Sequence, residues 1–196
     1  MKKLLLITVL AGLTLASCAT TPKFGVRAGA NFASINGDDA DSFEGKTGFH
    51  IGAVAEMEVS EKFAVQPEVS FSSQGADYSE SMYTGSYNLN YVNVPVMAKF
   101  KVAEGFSLEA GPQVGFLLSA KDKFDGEGGS GDEDVKDVTK GIDFGVNLGV
   151  GYELESGLNF GIRYNLGLSE LNDFGDLSGN ESWKNGVIQL SVGFFF

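Results

Sequence analysis

The stretch GVIQLSVGFFF, residues 186–196, decides the fold. Ile188, Leu190, Val192, Phe194 and Phe196 fall on one side, and Gln189, Ser191, Gly193 and Phe195 on the other. That is the two-residue period of a strand, and one face is wholly apolar. The run continues to the last residue, where a frayed polar tail is usual. An apolar face of this length needs an apolar cover.

Three segments, Val59-SEK-Phe63, Val102-AEG-Phe106 and Leu154-ESG-Leu158, each set three turn residues between apolar ones and join two alternating runs. Each predicts a tight hairpin. Longer stretches rich in Gly, Asp, Ser and Asn, near 35–48, 74–90, 120–140 and 170–185, predict loops. Short and long connections alternate strictly. Eight strands result, near 24–34, 47–59, 63–73, 91–102, 106–119, 141–154, 158–169 and 186–196.

One face of every strand is apolar, from Phe24, Val26, Ala28, Ala30 and Phe32 in the first to Phe160, Ile162, Tyr164, Leu166 and Leu168 in the seventh, without a single charge. The other face carries Arg27, His50, Glu56, Glu58, Glu68, Lys99, Lys101, Glu109, Asp143, Glu153 and Arg163, with Gly, Asn, Ser and Gln between them. A soluble sandwich would bury the apolar face, whereas a transmembrane barrel turns it to lipid and fills its lumen with the polar one. Strand length favours the barrel. A tilted strand needs about 9–11 residues to cross a bilayer, while soluble strands are mostly about 5–6. The small, charged character of the second face points the same way. The expected fold is all-β: an eight-stranded antiparallel up-and-down transmembrane barrel with short periplasmic turns and four long extracellular loops.

The N-terminus supports export. MKKLLLITVLAGLTLASC combines Lys2 and Lys3 with an apolar run from Leu4 to Leu15, too short to span as a helix. Residues 1–17 read as a signal peptide, 18–23 as a short linker and 24–196 as the barrel. Cys18, the only cysteine, follows Leu-Ala-Ser as in a lipobox, so it is a possible lipid-attachment site; cleavage after Ala19 is the alternative. Without Lys2 and Lys3, 12 basic residues stand against 26 acidic ones, which excludes a nucleic-acid partner.

YVNVPVMAKFK (91–101), AGPQVGFLLSAK (110–121), DFGVNLGVGYEL (143–154), GIRYNLGLSEL (161–171) and FGVRAGANFAS (24–34) resemble strands of the outer-membrane protein β-barrel domain family, PorT-like, with the architecture of OmpX and the OmpA barrel. The resemblance covers essentially all of 24–196. It implies a monomeric barrel in the Gram-negative outer membrane, with periplasmic termini, among outer-membrane lipid and lipopolysaccharide. It implies no catalytic residue and no cofactor. Phe196 resembles the C-terminal signal read by the barrel-assembly machinery.

Arg27, Glu56, Glu68, Lys99, Glu109 and Arg163 lie three to five residues from the periplasmic strand ends, and so are expected to form one lumenal network of alternating sign. Such a network reads either as a constriction or as the filling of a closed lumen. His50, the only histidine, invites a comparison with acyl-chemistry barrels, but no acid or nucleophile, Asp143 and Ser119 included, is tied to it by sequence. The acidic loop 121–137 lacks EF-hand spacing, so no metal site is expected. Tyr78, Tyr83, Tyr87 and Tyr91 on the second loop are candidate binding anchors or interface girdle residues. The expected role is structural or surface-interactive: adhesion, envelope integrity or partner docking through the loops, with the extracellular ligand unspecified. A narrow pore for small solutes and a secretion-system accessory role are the alternatives, and a lipid-modifying enzyme has the least support.

Overall fold

The structure, a computed structural model, describes residues 21–37, 40, 42–80, 83–126, 129–171 and 183–196, with backbone alone at Glu80 and Tyr83. Nine strands follow in chain order: β1 Lys23–Gly37, β2 Phe43–Ser60, β3 Phe63–Glu80, β4 Tyr83–Lys101, β5 Phe106–Gly126, β6 Gly129–Asp134, β7 Ile142–Glu153, β8 Leu158–Gly167 and β9 Trp183–Phe195. All pairings are antiparallel. Each ring strand pairs with its sequence neighbours, except that β5 passes over β6 to β7, and β1 with β9 closes the ring. Eight strands therefore form the barrel, and β6 is an appendage hydrogen-bonded to the far half of β5.

Closure answers the question raised by the last strand. β1 and β9 pair from Gly25↔Phe195 to Gly37↔Trp183, and Phe196 N donates to Phe24 O at 2.9 Å. The ring leaves no open edge, so every strand can cross an apolar medium with its backbone paired. None of the apolar-face positions read from the alternation is buried; Ile51 is 56 % exposed, Leu148 58 % and Ile162 54 %. Most of the buried side chains are instead polar or charged, Asn31, His50, Glu56, Gln66, Lys99 and Asn147 among them, with a smaller apolar set that includes Ala64, Met97 and Val187. This inversion of the usual core is what lipid outside and a narrow polar lumen inside require.

Both ends of the described chain and three tight turns lie at one end of the barrel, the turn end. Gly105 and Gly157 take φ of 73° and 88°, the left-handed conformation that glycine adopts without steric cost, and each closes its turn as expected. The first turn differs. Ser60 pairs with Phe63, so only Glu61 and Lys62 remain, and the extra residue is taken up by an irregularity between Glu58 and Ser60.

The opposite, hairpin end corrects the sequence expectation. The stretch 74–90 is not a loop. β3 and β4 stay paired to Glu80↔Tyr83. Nor is 121–137 an open loop, since β5 runs to Gly126 and pairs back with β6. Polar, Gly-rich composition reads as loop in one sequence, but strands already in register with neighbours can continue outside lipid with polar side chains. At about 3.3 Å per residue, Ser72–Glu80 alone carries β3 roughly 30 Å further.

Candidate functional site

The six charged residues of the expected network come together in the lumen, all of them buried. They arrive from six strands: Arg27 on β1, Glu56 on β2, Glu68 on β3, Lys99 on β4, Glu109 on β5 and Arg163 on β8. Arg163 holds Glu68 with two parallel bonds of 3.0 and 2.8 Å and also donates to Glu109 Oε2 at 3.0 Å. Arg27 Nη1 lies 3.5 Å from Glu68 and 3.9 Å from Glu109. Lys99 Nζ reaches Glu56 at 2.5 Å and lies 3.9 Å from both Glu109 and Glu153. Three cations meet three carboxylates, so the belt is neutral as a unit. Arg forks suit this arrangement because the planar guanidinium serves two carboxylates at once.

The belt has a floor and a roof. Towards the turn end, Phe195 turns inward and Lys99 Nζ stands 5.5 Å from its ring centre, a cation–π contact. Beside it a vestibule of about 200 Å³ opens between Lys99, Lys101, Glu109 and Glu153. Arg27 Nε and Glu109 Oε1 make no protein hydrogen bond, and both side chains line this vestibule. On the other side, the space between Arg27, His50, Glu68, Gln113, Arg163 and Gln189 is about 10 Å³. That is scarcely enough for one water.

Amide layers follow. Asn165 donates to Asn147, and Asn147 to Gln113. His50 is bonded on both nitrogens, Nδ1 to Asn31 Oδ1 at 2.8 Å and Nε2 to Ser191 Oγ at 2.9 Å. This connectivity of nucleophile, base and orienting amide is one that the sequence did not suggest. Asp143 is elsewhere, accepting from Asn185 at 2.9 Å, and Ser119 is bonded by Asn90. The arrangement has the bonds of a triad but not its setting. Asn31 spends its amide on Phe49 O, Ser72 and Ser73 O, and Gln189 donates to its oxygen. His50 itself faces a space of only about 10 Å³, shared with Arg27, Glu68 and Arg163. His50, Asn31 and Ser191 cross-link strands.

The tyrosines divide. Tyr91 is corrected outright: it lies in β4, only 1 % exposed, inside the barrel near Asn185. Its parity with Asn93 and Lys99 was the available signal. Tyr78 and Tyr87 stand on the β3–β4 extension with ring centres 5.4 Å apart, and Tyr87 meets Phe43, which meets Trp183. Tyr78 Oη donates to Asp122 at 2.9 Å, tying β3 to β5 across β4. The side chain of Tyr83, and Cys18 with the whole leader, lie outside the described residues. No group of three metal-ligating side chains occurs among the described residues.

Solved structures of the same shape are known. Ail, the attachment invasion locus protein of Yersinia pestis, superposes with a TM-score of 0.55 at 16 % identity over 90 % of this chain and all of its own. Neisserial surface protein A gives 0.56 at 14 % identity with the same coverage. A major outer membrane protein of Thermus thermophilus gives 0.50 at 15 %, again over 90 % of this chain and all of its own. At such identities they share the fold alone. No curated protein matches the chain by sequence. The family model for the outer membrane protein beta-barrel domain matches residues 20–173. A closed ring of eight strands, an uncharged outer face and this match over most of the chain agree, and the chain belongs to the outer membrane protein beta-barrel domain family of the Gram-negative outer membrane.

Proposed function

We propose that the protein is a surface platform: the barrel anchors it and the sheet above the membrane docks a partner. One observation carries this reading. β3, β4 and β5 continue beyond the apolar band as a paired sheet rather than as loose loops. Lys46 and Ser86 both bond Asp77 Oδ1, at 2.9 and 2.7 Å, so β2, β3 and β4 are cross-linked there. A preordered surface loses little entropy on binding. In this reading the turn end is periplasmic, residues 1–17 direct export, Cys18 becomes the lipidated first residue, and Phe196 serves barrel assembly.

The belt of Arg27, Glu68, Glu109 and Arg163 supports a plug rather than a pore, since the space beside it is about 10 Å³. Two experiments test the proposal. In planar bilayers the purified protein is expected to give no unitary conductance steps; regular steps would favour the narrow pore. On whole cells, replacing residues 76–87 by a two-residue turn is expected to abolish adhesion or partner capture while the barrel stays folded. Unchanged adhesion would sink the platform. Intact mass reports on Cys18: an unmodified chain beginning at Ala19 or Thr20 refutes lipidation.

A further inference from the structure

We infer that the vestibule at the turn end is a binding site for a short aliphatic chain bearing a primary ammonium group. The inference is independent of the docking sheet and of which side of the membrane the turn end faces. Charge gives the first argument. Four carboxylates line the vestibule. Glu109 is held by Arg163 and Arg27, and Glu153 lies 3.7 Å from Lys23 and 3.9 Å from Lys99. Glu104 and Glu155 have no ion-pair partner among the described residues. The lysines are committed, Lys99 to Glu56 at 2.5 Å and Lys101 to Glu58 at 2.6 Å. Negative charge is therefore left over at the mouth, and it attracts a cation. The fold brings the two free carboxylates to one side. Glu104 lies in the turn before β5 and Glu155 in the turn after β7, and Glu153 N donates to Gly105 O at 2.8 Å between them. Gly105 permits this approach, since an added Cβ would stand 2.7 Å from Glu153 O.

The second argument lies deeper. Ser107 and Asn159 are 6 % and 5 % exposed, and both line the vestibule. Asn159 donates its amide to Gly157 O at 3.3 Å, and its carbonyl oxygen has no donor among the described residues. Nor does the Ser107 hydroxyl have a partner among them. Neither oxygen is sealed within the wall, in contrast to Arg27 Nε and Glu109 Oε1. A primary ammonium carries three N–H donors and no acceptor, which is what these oxygens can use. An anion would instead have to draw Lys99 or Lys101 away from its glutamate. Size limits the stem. A cavity of about 150 Å³ takes a benzene ring, so one of about 200 Å³ suits a chain of roughly four to six carbons. The charge belt fills the lumen behind the vestibule, so the ammonium binds there and does not pass. Two sources carry this group: a free alkylamine and the lysine side chain of another protein.

Equilibrium dialysis of radiolabelled 1,4-diaminobutane against the full chain in phosphatidylcholine nanodiscs tests the site, since that lipid has no primary ammonium. Saturable binding at one site per chain is expected, with n-butylamine competing and 1-butanol, its neutral counterpart, failing to compete. Glu104 and Glu155 are exposed and lie in turns, so Glu104→Gln and Glu155→Gln leave the barrel intact, as an unchanged shift between boiled and unboiled gel mobility would show. Each is expected to weaken binding about two- to fivefold, and the pair together about tenfold. Asn159→Ala, which removes the buried carbonyl, is expected to weaken it further. Displacement by Nα-acetyl-lysine amide as effective as that by n-butylamine supports a lysine side chain as the natural occupant; displacement by the free amine alone supports a small molecule. Binding that never saturates, or that the doubly substituted chain retains in full, overturns the site. Competition by 1-butanol overturns the requirement for charge, and competition by inorganic phosphate at constant ionic strength overturns the proposal in favour of an anion.

Discussion

At the scale of residues, the lumen illustrates why burial decides the worth of a charge. Glu68 serves Arg163 with two bonds and Arg27 with a third contact, and all three side chains are buried. Glu68→Ala would leave the two buried guanidiniums of Arg27 and Arg163 with Glu109 as their one shared carboxylate. The expected loss is about 3–5 kcal/mol, measured by urea unfolding in lipid vesicles. Lys121 and Asp132, on the β5–β6 hairpin, form a pair at 3.4 Å with both side chains nearly half exposed. Asp132→Ala in the same assay is expected to change stability by less than about 1 kcal/mol. A comparable loss from both variants would mean that the belt is hydrated, and so that the lumen is open. The charges of the belt were legible from their parity and their distance from the turns. The partners were not: whether Arg163 takes Glu68 or Glu56 depends on strand stagger, which alternation alone does not give.

At the scale of elements, the hairpin of β3 and β4 is held as one piece with β5 by Tyr78. Its ring lies over Gly85, where an added Cβ would stand 2.0 Å from Tyr78 Cζ. Gly85→Val is therefore expected to expel the ring, break the bond to Asp122, and open the hairpin to limited proteolysis within 76–88 while the membrane-embedded ring stays protected. A protease pattern identical to that of the parent would refute this account of the hairpin. Acid should loosen the same element. Burial pushes the Asp77 carboxyl upward, but the Ser86 hydroxyl and Lys46 outweigh it and hold its pKa below the usual carboxylate value. A depressed folded pKa contributes stability above the ordinary carboxylate range, and that contribution disappears as pH falls through the folded value. Protease protection of the hairpin is expected to decline on acidification below the carboxylate range, and Asp77→Asn to remove that dependence.

At the scale of the whole molecule, the outer face carries the membrane assignment. Leu148 is 58 % exposed on β7, five residues from the nearer strand end. Leu148→Arg places a charge towards the bilayer midplane, with an expected cost of about 2–4 kcal/mol, read from urea unfolding and from loss of the boiled-versus-unboiled gel shift. An unchanged midpoint would place this face in water. Asn147, its neighbour on the inner face, is no mild site either: it is fully buried, donates to Gln113 and accepts from Asn165, so a charge there has no compensating partner.

The period of two in GVIQLSVGFFF, repeated in seven other segments, was by itself enough to determine the eight-stranded ring, the lipid-facing residues and the turn end. Alternation survives in a single sequence because one face must be apolar for the whole width of the bilayer. Where lipid ends, that constraint ends too. The continuation of β3 to β5 as a sheet and the pairing of Arg163 with Glu68 were decided by tertiary pairing. Above the membrane both faces of a strand can be polar, and only the neighbouring strand, through its backbone bonds and through contacts such as Tyr78 with Asp122, distinguishes a strand from a loop. The same holds for His50. Its bond to Asn31 follows from the pairing of β1 with β2, whereas its bond to Ser191, 141 residues away, exists only because closing β1 on β9 sets Ser191 opposite Gly29, the residue that faces His50 on its other side.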